Sequence, residues 1–173
     1  MTPENIPEPL RGAHRWVVFK IIPQPDKSLR KIPVTIKGTM ARSDNPSDWA
    51  TLPEVLKAIQ FGIGNAPAIA LGEDYPLTVL DLDGCIDERG NLSPLAVKIV
   101  SRCENAYIER SVSGRGLHIL MWSGERQYPC NPVSGLEIYG GAPRFIIMTG
   151  DLWCPLPSMD PEFNRQLAAR GIA

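Results

Sequence analysis

Two aspartates, Asp81 and Asp83, stand one residue apart in the largely apolar stretch L-T-V-L-D-L-D-G (77–84). Side chains alternate across a strand, so these carboxylates share a face with Val79, while Leu80 and Leu82 occupy the other. Like charges one pleat apart repel, and burial adds to the cost unless a cation lies between them. Divalent cations such as magnesium take oxygen ligands, which makes a D-x-D at a strand end a candidate part of a metal site. A solvated strand end with both aspartates wet is the alternative, and D-x-D by itself is common.

A second cluster, E-R-S-V-S-G-R-G-L-H-I-L (109–120), brings serines, glycines and Arg115 directly in front of His118. Glycines let backbone N–H groups turn toward an anion, hydroxyls add donors and Arg115 adds charge, the composition of a phosphate cradle. An ordinary β-turn leading to a core histidine would use the same residues. There is no G-x-x-x-x-G-K-[ST], and a strand rather than a helix follows the glycines, so neither a Walker loop nor a Rossmann fingerprint is present. A third element, G-L-E-I-Y-G-G-A-P-R-F-I-I-M-T-G (135–150), sets the lone carboxylate Glu137 in a short apolar strand and Arg144 at the start of the next. Glu137 could complete a metal site, although a single strand glutamate is more often solvated.

These residues must be positioned by strands. Apolar and β-branched runs bounded by turn residues predict strands at 15–22, 31–36, 67–71, 77–83, 106–111, 116–122, 136–139 and 144–149. A helix opens at Thr51, with Glu54 closing a T-x-x-E capping box, and presents Leu52, Val55, Leu56 and Ile59 on one face before Gly62. Another starts at Ser93-Pro94 and carries Leu95, Ile99, Val100 and Cys103. A third is expected from Asp160-Pro161 toward Gly171, after a proline-rich connector at 154–161. This order predicts an α+β chain built on a mostly antiparallel sheet with helices on one side, a pattern that fits the split βαβ sheet of RNA-recognition domains.

Composition bounds the rest. With 173 residues and 43% hydrophobic content, the chain can bury one good core, so a single domain over 1–173 is expected. No apolar stretch approaches the roughly 20 residues of a membrane span, and M-T-P-E-N-I-P-E-P-L-R-G has no apolar signal region, so the expected setting is soluble and cytoplasmic. Cys85, Cys103, Cys130 and Cys154 show no C-x-x-C pairing, which points away from a zinc ribbon or a disulfide framework. The net charge of −1 argues against a uniformly basic nucleic-acid coat, yet Lys27, Arg30, Lys31, Lys37 and Arg42 crowd the first quarter.

Taken in order, D-L-D, then S-x-S-G-x-G-x-H, then E-I-Y followed by R-F-x-x-x-T-G resembles the primase-polymerase branch of the archaeo-eukaryotic primase superfamily, found in replication proteins of plasmids, phages and integrated mobile elements. Flanking features extend the resemblance over roughly 12–151: R-W-V-V-F-K near the start, R-K-I-P at 30–33, and A-R-S-D-N-P-S-D-W-A-T-L-P-E-V-L-K-A-I at 41–59. The resemblance implies an RRM-like catalytic core, with 152–173 as connector and C-terminal helix. It also implies a DNA primase/polymerase that adds nucleotides from nucleoside triphosphates to a primer 3′-hydroxyl on a DNA template.

By the same resemblance, Asp81, Asp83 and Glu137 correspond to the carboxylates of a two-metal site for Mg2+ or Mn2+. His118 corresponds to the histidine contacting the phosphates of the incoming nucleotide, with Ser111, Ser113, Gly114 and Arg115 in its loop. Arg144 and Thr149 correspond to the strand lining the nucleotide pocket, and Lys31 to the lysine of K-x-P, a nucleotide or template contact. Many relatives carry a small hydroxyl residue two before the histidine, where this chain has Gly116. Relatives often continue into a helical accessory domain and a helicase, which are the implied protein partners. A non-catalytic nucleic-acid-binding domain of related fold and a metal-dependent nuclease are the alternative functions.

Overall fold

The computed structural model describes residues 2–103, 106–122 and 135–153. Along the chain run α1 (Glu8–Gly12), β1 (Trp16–Pro23), β2 (Leu29–Val34), α2 (Leu52–Gln60), β3 (Ala66–Leu71), β4 (Leu77–Leu82), α3 (Pro94–Val100), β5 (Tyr107–Arg110), β6 (Leu117–Trp122), β7 (Leu136–Tyr139) and β8 (Arg144–Ile147). The strands form two four-stranded antiparallel sheets, ordered β2-β1-β3-β8 and β5-β6-β4-β7. The fold is therefore α+β and antiparallel, as the pattern predicts. Every expected strand is present, its ends displaced by two residues at most. The division into two sheets is a tertiary feature with no local signature. The helix expected from residue 160, the 154–161 connector, Cys130 and Cys154 lie outside the described residues.

Local chemistry explains the helices. Glu54 accepts from both the N–H and the hydroxyl of Thr51, at 2.9 and 2.7 Å, and so stitches the start of α2. Ser93 Oγ accepts from Ala96 N at 3.3 Å at the start of α3, with Pro94 in the first turn. Leu52, Val55 and Ala58 of α2 pack in the main core with Trp16, Val18 and Ile69 of the first sheet. The same core takes in Val79 and Leu120 of the second sheet. The other face of the second sheet, carrying Leu80, Leu82, Ile108, Leu117 and Ile119, is covered by Ala96 of α3 with Ile99 and Val100.

Two tethers brace the first sheet. Arg15 is sandwiched between Trp49 and Tyr75, 4.4 and 4.7 Å from their ring centres, and donates to both carboxylate oxygens of Asp74 at 2.7 and 2.8 Å. Near the N-terminus, Thr2 N donates to Thr149 O and Asn5 Nδ2 to Gly150 O, each at 3.0 Å. The segment before β1 is thereby sewn onto the corner that follows β8.

Candidate active site

Antiparallel pairing places four polar side chains in one row across the second sheet. Asp81 on β4 is directly opposite Glu137 on β7 and also directly opposite His118 on β6, while His118 is opposite Glu109 on β5. The row thus reads Glu109, His118, Asp81, Glu137. Directly opposed residues in such ladders bring their Cβ atoms to about 5 Å. Asp83 sits in the turn just past β4, exposed, with its N–H donating to Gly135 O at 2.9 Å. The alternation that puts Leu80 and Leu82 in the core is what turns Asp81 the other way.

Burial grades the row from dry to wet. Glu109 is fully buried, His118 is 6% exposed, and Glu137 is half-buried. His118 shares a hydrogen bond between Nδ1 and Glu109 Oε1 at 3.2 Å and turns Nε2 toward Asp81 Oδ1, 3.8 Å away. That separation is an ion-pair distance and too long for a hydrogen bond, leaving the buried Asp81 Oδ1 with no hydrogen-bond partner. Burial raises the Asp81 pKa, and the charges of Asp83 and Glu137 add to the rise against the opposing pull of His118 and Lys31. For His118, burial alone would lower the pKa, but the hydrogen bond and charge of Glu109, with the charge of Asp81, outweigh it and raise the value. The cationic imidazolium is thereby favoured beside a carboxylate that is short of partners.

The row opens into a cleft of about 260 Å³ lined by residues of both sheets. Asp81, Asp83, His118, Glu137 and Tyr139 line one wall, and Phe19, Lys31 and residues 144–147 line the other. The strand registers put Phe19, Lys31, Phe145 and Ile147 on one face of the first sheet. Arg144 lies over the Tyr139 ring at 4.1 Å, so a side chain at the cleft edge is held by one on the opposite wall. Six residues singled out from the sequence, Lys31, Asp81, Asp83, His118, Glu137 and Arg144, thus meet in one cavity.

Other sequence candidates are placed elsewhere. Of the loop 111–116, Val112 lines the cleft, while Ser111 Oγ pairs with Ser113 Oγ at 3.0 Å and Arg115 N donates to Ser113 Oγ at 3.3 Å. Gly114 N donates to Ser111 O at 2.8 Å, with Gly114 in the left-handed region at φ 72°. The serines therefore close the turn on itself, and the exposed Arg115 side chain is outside the cleft lining. Thr149 is buried: its hydroxyl donates to Arg110 O at 2.7 Å and its N–H to Glu109 at 3.0 Å, so it braces the site from behind. The glycine at 116 has a steric cause. A Cβ there would lie 2.8 Å from Leu82 O and 2.9 Å from Ser111 Oγ.

Sequence reasoning missed Glu109. It accepts from His118, from Tyr107 Oη at 2.8 Å, and from the backbone N–H groups of Thr149 and Gly150 at 3.0 and 2.8 Å. Its signal was a lone carboxylate directly after the apolar run A-Y-I (106–108) of a predicted strand.

The donor set suits a hard cation. Among the described residues, no three His, Cys, Asp or Glu side chains stand close enough to form a ligand set by themselves. Magnesium, however, is usually held by one or two carboxylates together with substrate phosphates and waters. Asp81 Oδ1, which has no hydrogen-bond partner, Glu137 opposite it and Asp83 lining the same cleft are the oxygen donors that could hold such a cation.

No protein-family model matches the chain. The chain is 25% identical over 145 residues to the DNA primase-polymerase of Nitratiruptor phage NrS-1, across 80% of this chain and 19% of that protein. It therefore spans less than a fifth of the length of the relative it matches. In sequence, the chain with this cleft is similar to a phage DNA primase-polymerase.

Proposed function

We propose that this chain is a primase-polymerase catalytic domain, performing template-directed nucleotidyl transfer to a primer 3′-hydroxyl in the replication of a phage, plasmid or integrated element. The observation that carries the reading is the meeting of Lys31, Asp81, Asp83, His118, Glu137 and Arg144, far apart in sequence, around one cleft. Likeness to a phage DNA primase-polymerase supports it independently.

Asp81, Asp83 and Glu137 would hold the divalent cations, magnesium or manganese. When bound, such ions lower the pKa of an attacking hydroxyl and neutralise triphosphate charge. The chain's own residues act by positioning. Lys31 and Arg144 set positive charge on the wall opposite the carboxylates, where phosphate oxygens need it. Arg144 is kept at its place by the Tyr139 ring. His118, held from behind by Glu109, offers Nε2 as a donor to a phosphate oxygen from a rigid strand rather than a loop. No protein nucleophile is required, because the attacking group is the primer hydroxyl and the leaving group is pyrophosphate.

The test is incubation with a primed template, labelled nucleotides and magnesium or manganese. A pre-formed primer is used because its extension needs no initiation. Extension that is abolished by Asp81→Ala and Asp83→Ala is the expected result. Degradation of the primer would move the assignment to a metal-dependent nuclease. Binding without extension, indifferent to either substitution, would move it to a non-catalytic nucleic-acid-binding domain.

A further inference from the structure

We propose that Glu109 is a positioning residue that anchors the Nδ1 proton and the ring orientation of His118, so that the nitrogen facing the cleft is always Nε2; this rests on the reading of the cleft as a nucleotide site. A fully buried carboxylate is expensive to maintain, and an apolar residue would serve the core better unless the charge had a use. Glu109 is surrounded by donors. Oε1 meets His118 Nδ1 at 3.2 Å and Thr149 N at 3.0 Å, while Oε2 accepts from Tyr107 Oη at 2.8 Å, Gly150 N at 2.8 Å and Thr149 N at 3.1 Å.

Two consequences follow from that geometry. An ionised carboxylate only accepts, so Nδ1 must carry the proton it shares with Glu109, and the ring has no alternative partner behind it. The same carboxylate also grips the two backbone N–H groups that follow β8, the strand bearing Arg144. One buried group thus ties His118 on one wall of the cleft to the strand that forms the other. Carboxylates behind a metal-ligating histidine commonly affect affinity or activity by about 10- to 100-fold although they never touch the metal, and Glu109 stands behind His118 in the same relation.

Glu109→Gln separates this role from mere support of the core. Thr149 N, Gly150 N and Tyr107 Oη all need an acceptor near Oε2, so the amide oxygen must take that side. The amide NH2 then faces His118 Nδ1 and forces it to accept. The substitution should therefore keep the fold but take from Nδ1 the proton that the carboxylate holds there. The chain has two histidines, so long-range 1H–15N spectra of the full chain can report His118 with His14 as internal reference.

The expected results are an Nδ1-protonated His118 in the wild type and loss of that proton in Glu109→Gln. Affinity for a non-hydrolysable nucleoside triphosphate with magnesium, read by calorimetry, should fall about tenfold in Glu109→Gln. The Glu109→Gln/His118→Ala double variant should bind no more weakly than His118→Ala alone. Wild-type protein carrying the proton on Nε2 alone would overturn the proposal without any variant. An unchanged tautomer or unchanged affinity in Glu109→Gln, or strictly additive losses in the double variant, would equally overturn it. Unchanged affinity in His118→Ala would instead remove the nucleotide-site reading of the cleft, while the spectra would still decide the coupling of Glu109 to His118.

Discussion

Asp81 and Glu137 face each other directly across the β4–β7 ladder, on the face of the sheet turned toward the cleft, and the buried Oδ1 of Asp81 has no hydrogen-bond partner. Two carboxylates in this relationship destabilise the metal-free protein. Burial, Asp83 and Glu137 raise the Asp81 pKa, so its charged form costs stability as pH rises through that raised value. Asp81→Asn should therefore raise the melting temperature by a few degrees at neutral pH in the presence of a chelator. The gain should vanish in acid, where wild-type Asp81 is already protonated. Thermal unfolding at both pH values checks the sign.

The same substitution should remove activity while sparing the fold. In the proposed ligand role, loss of this carboxylate costs several kcal/mol of transition-state stabilisation, on the order of a thousandfold in rate. Primer-extension rates of Asp81→Asn against wild type, compared at saturating magnesium, measure it. A loss smaller than about tenfold would take Asp81 out of the ligand set.

Gly116→Ser should be destabilising by about 1–3 kcal/mol, because its Cβ would press on Leu82 O and Ser111 Oγ. A hydroxyl at this position therefore cannot be added without moving β4 or the loop. Urea unfolding of Gly116→Ser against wild type gives the cost, and a neutral result would mean that the loop yields freely.

Tyr139→Ala should free Arg144 from the ring it lies over, whereas Tyr139→Phe keeps an aromatic face. A cation–π contact at such a site is worth about 0.5–1 kcal/mol, so triphosphate affinity should fall about two- to fivefold in Tyr139→Ala and hold in Tyr139→Phe. Calorimetric titration of both variants makes the comparison.

Asp74→Asn probes the Arg15 clasp. The hydrogen bond from Arg15 leads in lowering the Asp74 pKa, against a smaller opposing effect of burial. A lowered carboxyl contributes stability above its unfolded value and loses it as pH falls through the folded one. With the Asp74 side chain 70% exposed, screening limits the contribution to about 1 kcal/mol or less. The wild type should exceed Asp74→Asn at neutral pH, and the two unfolding curves should converge once pH has dropped below the depressed Asp74 value.

Much of the local structure was legible in the sequence. Apolar and β-branched runs bounded by turn residues marked β4 and β6, whose side chains alternate in facing, and Thr51-x-x-Glu54 and Ser93-Pro94 marked the helix starts, because each signal lies within a few positions of the chain. The same alternation put Asp81 opposite in facing to Leu80 and Leu82, which singled out Asp81 before any partner was visible. Lys31, His118, Glu137 and Arg144 were marked through the resemblance to primase-polymerases, and they share the cleft with the two aspartates.

Tertiary structure alone decided which faces oppose each other. Alternation turns Asp81 away from Leu80 and Leu82; it does not say that His118, Glu109 and Glu137 stand in one register with it. Nor does it reveal that the strands divide into two sheets whose residues line one cleft. The hydroxyls of Ser111 and Thr149 have the composition of a phosphate site, yet local hydrogen bonds claim the first and Arg110 O the second. The physical reason is that a side chain's donors go to whichever acceptors the long-range register brings within about 3 Å. Residue type and spacing describe what a group can donate, and only the paired strands determine what it meets.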